Sequence, residues 1–283
     1  MKLLANKRGI KMKKHRFLRR LAALAMTLVA GLMVANVSPQ QVGAWWRRTS
    51  SNYAVSRTSK LPPTQEQAEA VLTPNVRKQL GKSIEWNGAG SFVVNNDKTK
   101  LNANISSAPW AVNHLDSQGR PWQGDAWLSK ATRQYRNRQS TGNGASSWKP
   151  AGFAQATNLT GGYSHAYDRG HLLGYALVGG LPGFDASESN PQNIATQTAW
   201  ANEARSSQSR GQNYYEGLVR QALDRGSRVR YRVTDIYDGN NSVPAGAHIE
   251  AKAADGSLQF NVFVPNVQRN IEIDYATGRV TQR

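Results

Sequence analysis

The 283-residue chain has no cysteine, which excludes disulfide scaffolds, thiol nucleophiles and cysteine-ligated zinc together. Histidine is scarce: His15, His114, His165, His171 and His248 are all there are, so any imidazole chemistry draws on a short roster. Acids are outnumbered two to one, 18 Asp+Glu against 36 Lys+Arg, and the resulting net charge of +18 points to a polyanionic partner. With 39% hydrophobic residues and a mean hydropathy of −0.60, a polytopic membrane protein is excluded. No acid occurs in the first twenty residues, which hold nine of the basic ones, and no charge of either sign occurs from Leu21 to Trp46. The rest of the chain, with 27 basic and 18 acidic residues, is only moderately basic.

A basic flank followed by the apolar run Leu21–Ala35 reads as an export signal or a single-pass anchor, with everything after about residue 46 outside the cell. Fifteen residues are short for a span of about 20, and Val42-Gly43-Ala44 offers small residues to a signal peptidase, so secretion after cleavage near Ala44 is the alternative. The uncharged stretch nevertheless continues to Trp46. Trp45 and Trp46 suit an interfacial belt, with Arg47 and Arg48 in the water beyond. A retained anchor is therefore expected.

Residues 47–85 read as a linker and short helix, and residues 86–283 as the main domain. Thr64-Gln65-Glu66-Gln67 has the form of a capping box opening a helix to about Leu72, with Pro74 interrupting before Val76–Leu80. Ser91–Val94, Trp110–Leu115 and Ala126–Leu128 are strand candidates, the last two separated by turn-rich sequence. Gln139–Pro150 reads as irregular. Gly211–Leu223 has helical spacing, with Tyr214, Leu218 and Ala222 on one face. The C-terminal third is β-rich: Arg228–Tyr237 alternates, Ile249–Ala253 and Leu258–Val264 flank an Asp255-Gly256 turn, and Ile271–Tyr275 follows. The fold class is mixed α+β.

Two of the five histidines fall in Tyr163–Ala176, YSHAYDRGHLLGYA. A histidine after Asp168-Arg169-Gly170 can serve as a base beside a cationic group, the glycine allowing close approach to a ligand. The string Asp168-Arg169-Gly170-His171-Leu172, with Ala176 after it, resembles the signature of the DNA/RNA non-specific endonucleases, ββα-metal (His-Me finger) enzymes. The resemblance continues in Asn193-Ile194-Ala195-Thr196-Gln197, in Asn202 nine residues after Asn193, and in Glu216 and Arg220 four apart on a helix. The layout over roughly residues 60–283 is similar to the membrane-anchored DNA-entry nucleases of bacteria.

The resemblance implies a ββα-metal core on a mainly antiparallel sheet and assigns roles. His171 would be the general base, Asn202 the sole protein ligand of Mg²⁺ (Mn²⁺ as a substitute), Glu216 the holder of a metal-bound water and Arg220 a phosphate contact. Asp168, Arg169, His165, Arg138 and Asn193 are candidates for substrate binding, and Asn193 also for orienting His171. The gap from Asn202 to Glu216 exceeds that of compact family members, and Glu203 could approach the metal through water or lie on a solvated helix face. Arg133, Arg136 and Arg138 with Tyr135 form a basic cluster able to grip a phosphate backbone. Arg228, Arg230 and Arg232 share one strand face, read as solvated. Gly-x-Gly at Gly88 and at Gly142 lacks the context for a nucleotide cofactor.

The reading is a sugar-non-specific, metal-dependent endonuclease acting on double- and single-stranded DNA, and on RNA, outside the cell. A non-catalytic nucleic-acid receptor and a hydrolase of another anionic polymer are the competitors. A receptor would need neither His171 nor Asn202.

Overall fold

The computed structural model describes residues 61–283, Ala145 excepted. The basic segment, the apolar run and most of the linker, and with them the expected signal or anchor helix, lie outside the described residues. Among the described residues no helix is long and apolar enough to cross a membrane.

Two short helices lead in. α1 (Gln65–Glu69) opens on the capping box expected of Thr64, whose side chain accepts from the Gln67 amide while Gln67 reaches back. It stops at Glu69, short of Leu72, because Thr73 caps a separate helix, α2 (Pro74–Leu80), with Pro74 in its first turn. Ala68, Val71, Leu72, Val76 and Leu80 pack with Phe92, Val94, Ile236 and Phe263, so residues read as linker and helix belong to the folded body.

The body is built on a seven-stranded sheet made of β1 (Ile84–Trp86), β2 (Phe92–Val94), β3 (Trp110–Leu115), β4 (Pro121–Leu128), β9 (Val229–Ile236), β10 (Gly246–Ala253) and β11 (Gln259–Pro265). Their order is β1-β2-β11-β10-β9-β4-β3, with every pairing antiparallel. β4 begins at Pro121, so half of the turn-rich sequence before Ala126 is strand.

Register explains the core. Ala126, Tyr231 and Ala251 lie side by side across β4, β9 and β10, as do Leu128, Val229 and Ala253, all on one face. Against that face packs α5 (Gln212–Asp224). Its buried residues are Gln212, Tyr215, Glu216, Val219, Ala222 and Leu223, whereas Tyr214 and Leu218 of the expected face are only partly covered. Trp200 and the loop residues Leu172 and Leu173, at most 1% exposed, complete this core.

The opposite face corrects the reading of the arginine row. Arg230 is 8% exposed and grips both oxygens of Asp125, with Nη2 2.9 Å from Oδ2, while Arg232 Nη2 reaches Oδ2 at 2.8 Å. Arg230 also lies 4.7 Å over the Trp110 ring, and Arg228 donates to the Ser107 carbonyl. The row is a charge cluster covered by the chain before β3, because alternation places three arginines on one face but cannot say what lies over it.

Six further strands stand outside the large sheet: β5 (Tyr167–His171) pairs with β6 (Ile194–Thr198), β7 (Arg205–Ser206) with β8 (Ser209–Arg210), and β12 (Ile271–Ile273) with β13 (Val280–Gln282). Helices α3 (Tyr175–Val178) and α4 (Ala199–Glu203) complete the fold.

Burial raises the Asp125 carboxyl, but bonds to Arg230 and Arg232 outweigh it and hold it below the usual carboxylate range. Its contribution to stability is therefore complete above the unfolded value of about 3.9 and is lost as pH falls through the lower folded value. Asp125→Ala strands Arg230 without its counter-charge and should cost about 3–5 kcal/mol. Urea unfolding at neutral pH measures it, and the deficit relative to the parent should shrink below about pH 4.

Candidate active site

β5 and β6 run antiparallel from Tyr167↔Thr198 to His171↔Ile194, and the Thr198 hydroxyl then caps α4 by accepting from the Ala201 amide. This β-β-α unit is pinned from several sides. Tyr167, 1% exposed, donates its hydroxyl to the Gly278 carbonyl, and Gln155 Oε1 accepts from the Tyr167 amide. Asn266 accepts from the Thr198 amide, and Gln268 from that of Trp200. His171 therefore ends a rigid strand, and Asn202 sits on the helix that follows that strand's partner.

The long gap between Asn202 and Glu216 has a structural cause. The β7–β8 ribbon fills it, after which the Gly211 and Tyr214 amides return to the Ala204 carbonyl and α5 begins. α5 brings Gln212, Glu216 and Arg220, spaced by four, alongside β5. Glu216 Oε1 is 2.9 Å from His171 Nε2, and its Oε2 accepts from Arg220 Nη1 at 3.3 Å. Gln212 Nε2 donates to the His171 carbonyl at 2.6 Å. Gly174 leaves the room required, since a Cβ there would stand 2.6 Å from Glu216 Oε1. Burial would raise the Glu216 carboxyl, but the neighbouring His171 and Arg220 prevail and hold it below the ordinary glutamate range. An ionised carboxylate only accepts, so His171 Nε2–H is the donor and Nδ1 is the basic nitrogen of the neutral ring.

A second group lies on the same strand. Asp168 Oδ2 accepts from Asn202 Nδ2 at 2.9 Å, and Asp168 Oδ1 is 2.9 Å from His165 Nε2. Glu203 Oε1 is 3.6 Å from the same nitrogen. The bond to Asp168 raises the His165 imidazole above its usual value, against a smaller opposing effect of burial, with the charges of Asp168 and Glu203 helping. The donor atoms of His165, Asp168 and Glu203 lie within 4.8 Å of one another. With its amide nitrogen held by Asp168, Asn202 turns its carbonyl oxygen free of that bond. A hard oxygen beside two carboxylates fits a divalent cation of the Mg²⁺ type.

Other expected site residues have different work. Asn193, 1% exposed, bonds both the amide and the carbonyl of Leu173 and shapes the turn after His171. Its side chain neither bonds the His171 ring, whose partner is Glu216, nor reaches a surface where substrate could lie. Arg169 donates to the carbonyls of Trp148 and Ser146, tying down the irregular loop. Arg138 donates to the Ala186 carbonyl at 3.1 Å and lies 4.9 Å over the Tyr175 ring, while its charge still reaches Glu216. Arg133 is bound to the Arg220 carbonyl and to Asp224. Gly170 makes room for the side chain of Gln197, which a Cβ would meet at 2.3 Å, and not for a ligand as expected. Gln212 escaped the sequence reading, although its place four residues before Glu216 was a usable signal.

The chain matches the DNA/RNA non-specific endonuclease model over residues 89–280. The chain belongs to that family. It is 42% identical to NucA from Streptococcus agalactiae, solved with no metal bound and with magnesium ion bound. These matches cover 80% and 78% of this chain and 100% and 98% of theirs, with TM-scores of 0.69 and 0.72. The Sda1 nuclease with bound zinc ion is 17% identical, with a TM-score of 0.50 over 70% of this chain and 98% of its own, a likeness of fold alone. The protein is thus a metal-dependent non-specific endonuclease with nucleic acid as substrate, and the α+β fold expected for one is present. The receptor that binds without cutting is set aside.

In this endonuclease the buried Glu216 charge is held between His171 and Arg220. Glu216→Gln keeps the shape and removes the charge, and should lower the cleavage rate by about 10²-fold or more, the scale of a mispositioned general base. Initial rates on supercoiled plasmid check it.

Proposed function

We propose that the protein is a sugar-non-specific endonuclease that hydrolyses internal phosphodiester bonds of DNA and RNA outside the cell, with His171 as general base and Mg²⁺ as cofactor. The observation that supports the base most directly is the 2.9 Å contact between His171 Nε2 and the buried Glu216 carboxylate. By holding Nε2–H, Glu216 fixes the tautomer and stabilises the imidazolium that forms when Nδ1 takes a proton from the attacking water.

Glu216 then orients the base directly, where the family resemblance alone had suggested that it holds a metal-bound water. Arg220, braced by Glu216 and by Asn213 Oδ1 at 2.7 Å, keeps N–H groups to offer to the scissile phosphate. Asn202 is the protein ligand of the cation, and Asp168 aligns its amide and adds negative charge alongside. When bound there, Mg²⁺ neutralises charge at the phosphate and on the departing 3′ oxygen. The magnesium assignment is supported by the donor chemistry and by the magnesium-bound NucA relative. His165 and Glu203 flank this group and are placed to contact substrate or cation-bound water. Contacts of this kind read the backbone and no bases, which favours cleavage without sequence preference and of either sugar.

The placement outside the cell rests on the sequence of residues 1–46, as a retained anchor or a cleaved signal. Sequencing the N-terminus of the active species from fractionated cells separates the two.

Two substitutions test the chemistry. His171→Ala should lower turnover about 10²–10⁴-fold while DNA binding survives, measured by plasmid cleavage beside a filter-binding assay. Near wild-type turnover would remove His171 as the base. Asn202→Ala leaves the cation only water and substrate oxygens, so activity across a Mg²⁺ titration should collapse toward that of wild type in EDTA. A normal Mg²⁺ response would show that the ligand lies elsewhere. Running both assays on RNA as well as DNA decides the breadth of substrate.

A further inference from the structure

β9 alternates, and its row Val229, Tyr231, Val233 on the covered face ends in Asp235, a carboxyl group where the period calls for a hydrophobe. Asp235 is 6% exposed, and no side chain or backbone group among the described residues bonds to its carboxyl. It lines a pocket of about 10 Å³ shared with Gly170, His171, Gln197 and Gln212, and opposite it in the ladder stands Ala247, too small to fill the space. A second polar atom at this pocket, Gln197 Oε1, is buried and likewise lacks a protein partner. Two such groups on residues lining one small pocket are the conditions under which a single internal water is held, since one needs roughly 10–15 Å³ and at least two polar partners.

From Gln197 the connection runs to the active site. Gln197 Nε2 donates to Gln212 Oε1 at 3.0 Å, and Gln212 Nε2 donates in turn to the His171 carbonyl at 2.6 Å and lies 3.5 Å from Glu216 Oε1. We propose that Asp235 is a positioning residue for the base: through one water in this pocket it fixes Gln197, Gln197 fixes Gln212, and Gln212 sets the backbone of His171 and its alignment with Glu216. Burial pushes the Asp235 carboxyl well above the usual carboxylate range, which favours the protonated form with an O–H to give. A water that accepts from that O–H and donates to the Gln197 carbonyl oxygen matches both ends of the gap. The inference rests on the reading of His171 as the base.

The test uses shape-matched replacements in the full-length chain. Leucine and asparagine both branch at Cγ as aspartate does, so Asp235→Leu removes only polarity and Asp235→Asn keeps an N–H donor. Asp235→Leu should lower kcat about tenfold or more, the scale of a small misplacement of a reacting group. KM for plasmid should stay unchanged and the thermal unfolding midpoint equal or higher. Asp235→Asn should recover turnover to within about threefold of wild type, as one hydrogen bond is exchanged for another. Gln197→Leu should reproduce the loss, and the double variant should be no slower than either single one.

Wild-type kcat in Asp235→Leu, a loss confined to KM, an Asp235→Asn as slow as the leucine variant, or losses that multiply would each overturn the proposal. Where the leucine variant does not fold, the smaller Asp235→Val takes its place. His171→Ala run alongside separates the two failures. If it keeps turnover, the reading of the base is wrong; if it is dead while Asp235→Leu is wild type, only the positioning role is.

Discussion

A buried negative charge at Glu216 constrains the whole active end of this enzyme. A carboxylate 5% accessible on a helix facing the main sheet is tolerable only with partners, and it has two cationic or protonatable ones, His171 and Arg220. To supply them, β5 must end where α5 passes. The residue after the Leu172-Leu173 pair must be glycine to clear the carboxylate, and α5 must start where Gln212 can reach the strand carbonyl. The same pairing that makes the charge affordable to bury fixes the orientation of the His171 ring.

β5 divides the site into two offices. Toward its end lies the group of His171, Glu216 and Arg220; three residues earlier Asp168 anchors the group around Asn202. Both include a residue of one short strand, β5, which Gln155 holds, while Asn266 holds its partner β6 and Gln268 the following α4, each through a side-chain amide and not through the large sheet. Bonds from side chains to backbone hold this polar pair of strands, where hydrophobic burial holds β9.

That difference explains what could be read from sequence. Periodicity revealed β9, β10, β11 and α5 because burial of apolar side chains made them, and the Asp-Arg-Gly-His string revealed the site's centre. β6, with the sequence Ile-Ala-Thr-Gln-Thr, is buried throughout yet mostly polar or small, so hydrophobic patterning passes over it. The same blindness turned Asn193 into a site candidate: an asparagine bonded to both ends of the Leu173 peptide looks, in sequence, like one bound to a ligand. The row of arginines on β9 erred the other way, since a solvated and a covered cationic face share one alternation and only Asp125, about a hundred residues away, tells them apart. The ribbon β7–β8 was equally invisible, four strand residues inserted in a gap whose length alone was evident.

The excess of arginine then takes on a second meaning beside attraction to phosphate. With no cysteine to cross-link its loops, the chain staples them by guanidinium groups on backbone carbonyls: Arg169 on Trp148, Arg138 on Ala186, Arg120 on Gly239 and Asn241, Arg133 on Arg220. A guanidinium presents five donors in a rigid fork, and each one bonded to a carbonyl satisfies a loop group that secondary structure leaves open. These cations keep their charge and so add to the long-range field that draws in a nucleic acid, while each commits at least one N–H to a carbonyl of the chain. The same arginines thus serve the fold and the field at once, and among those bonded near His171 it is Arg220 that is tied to both Glu216 and Asn213.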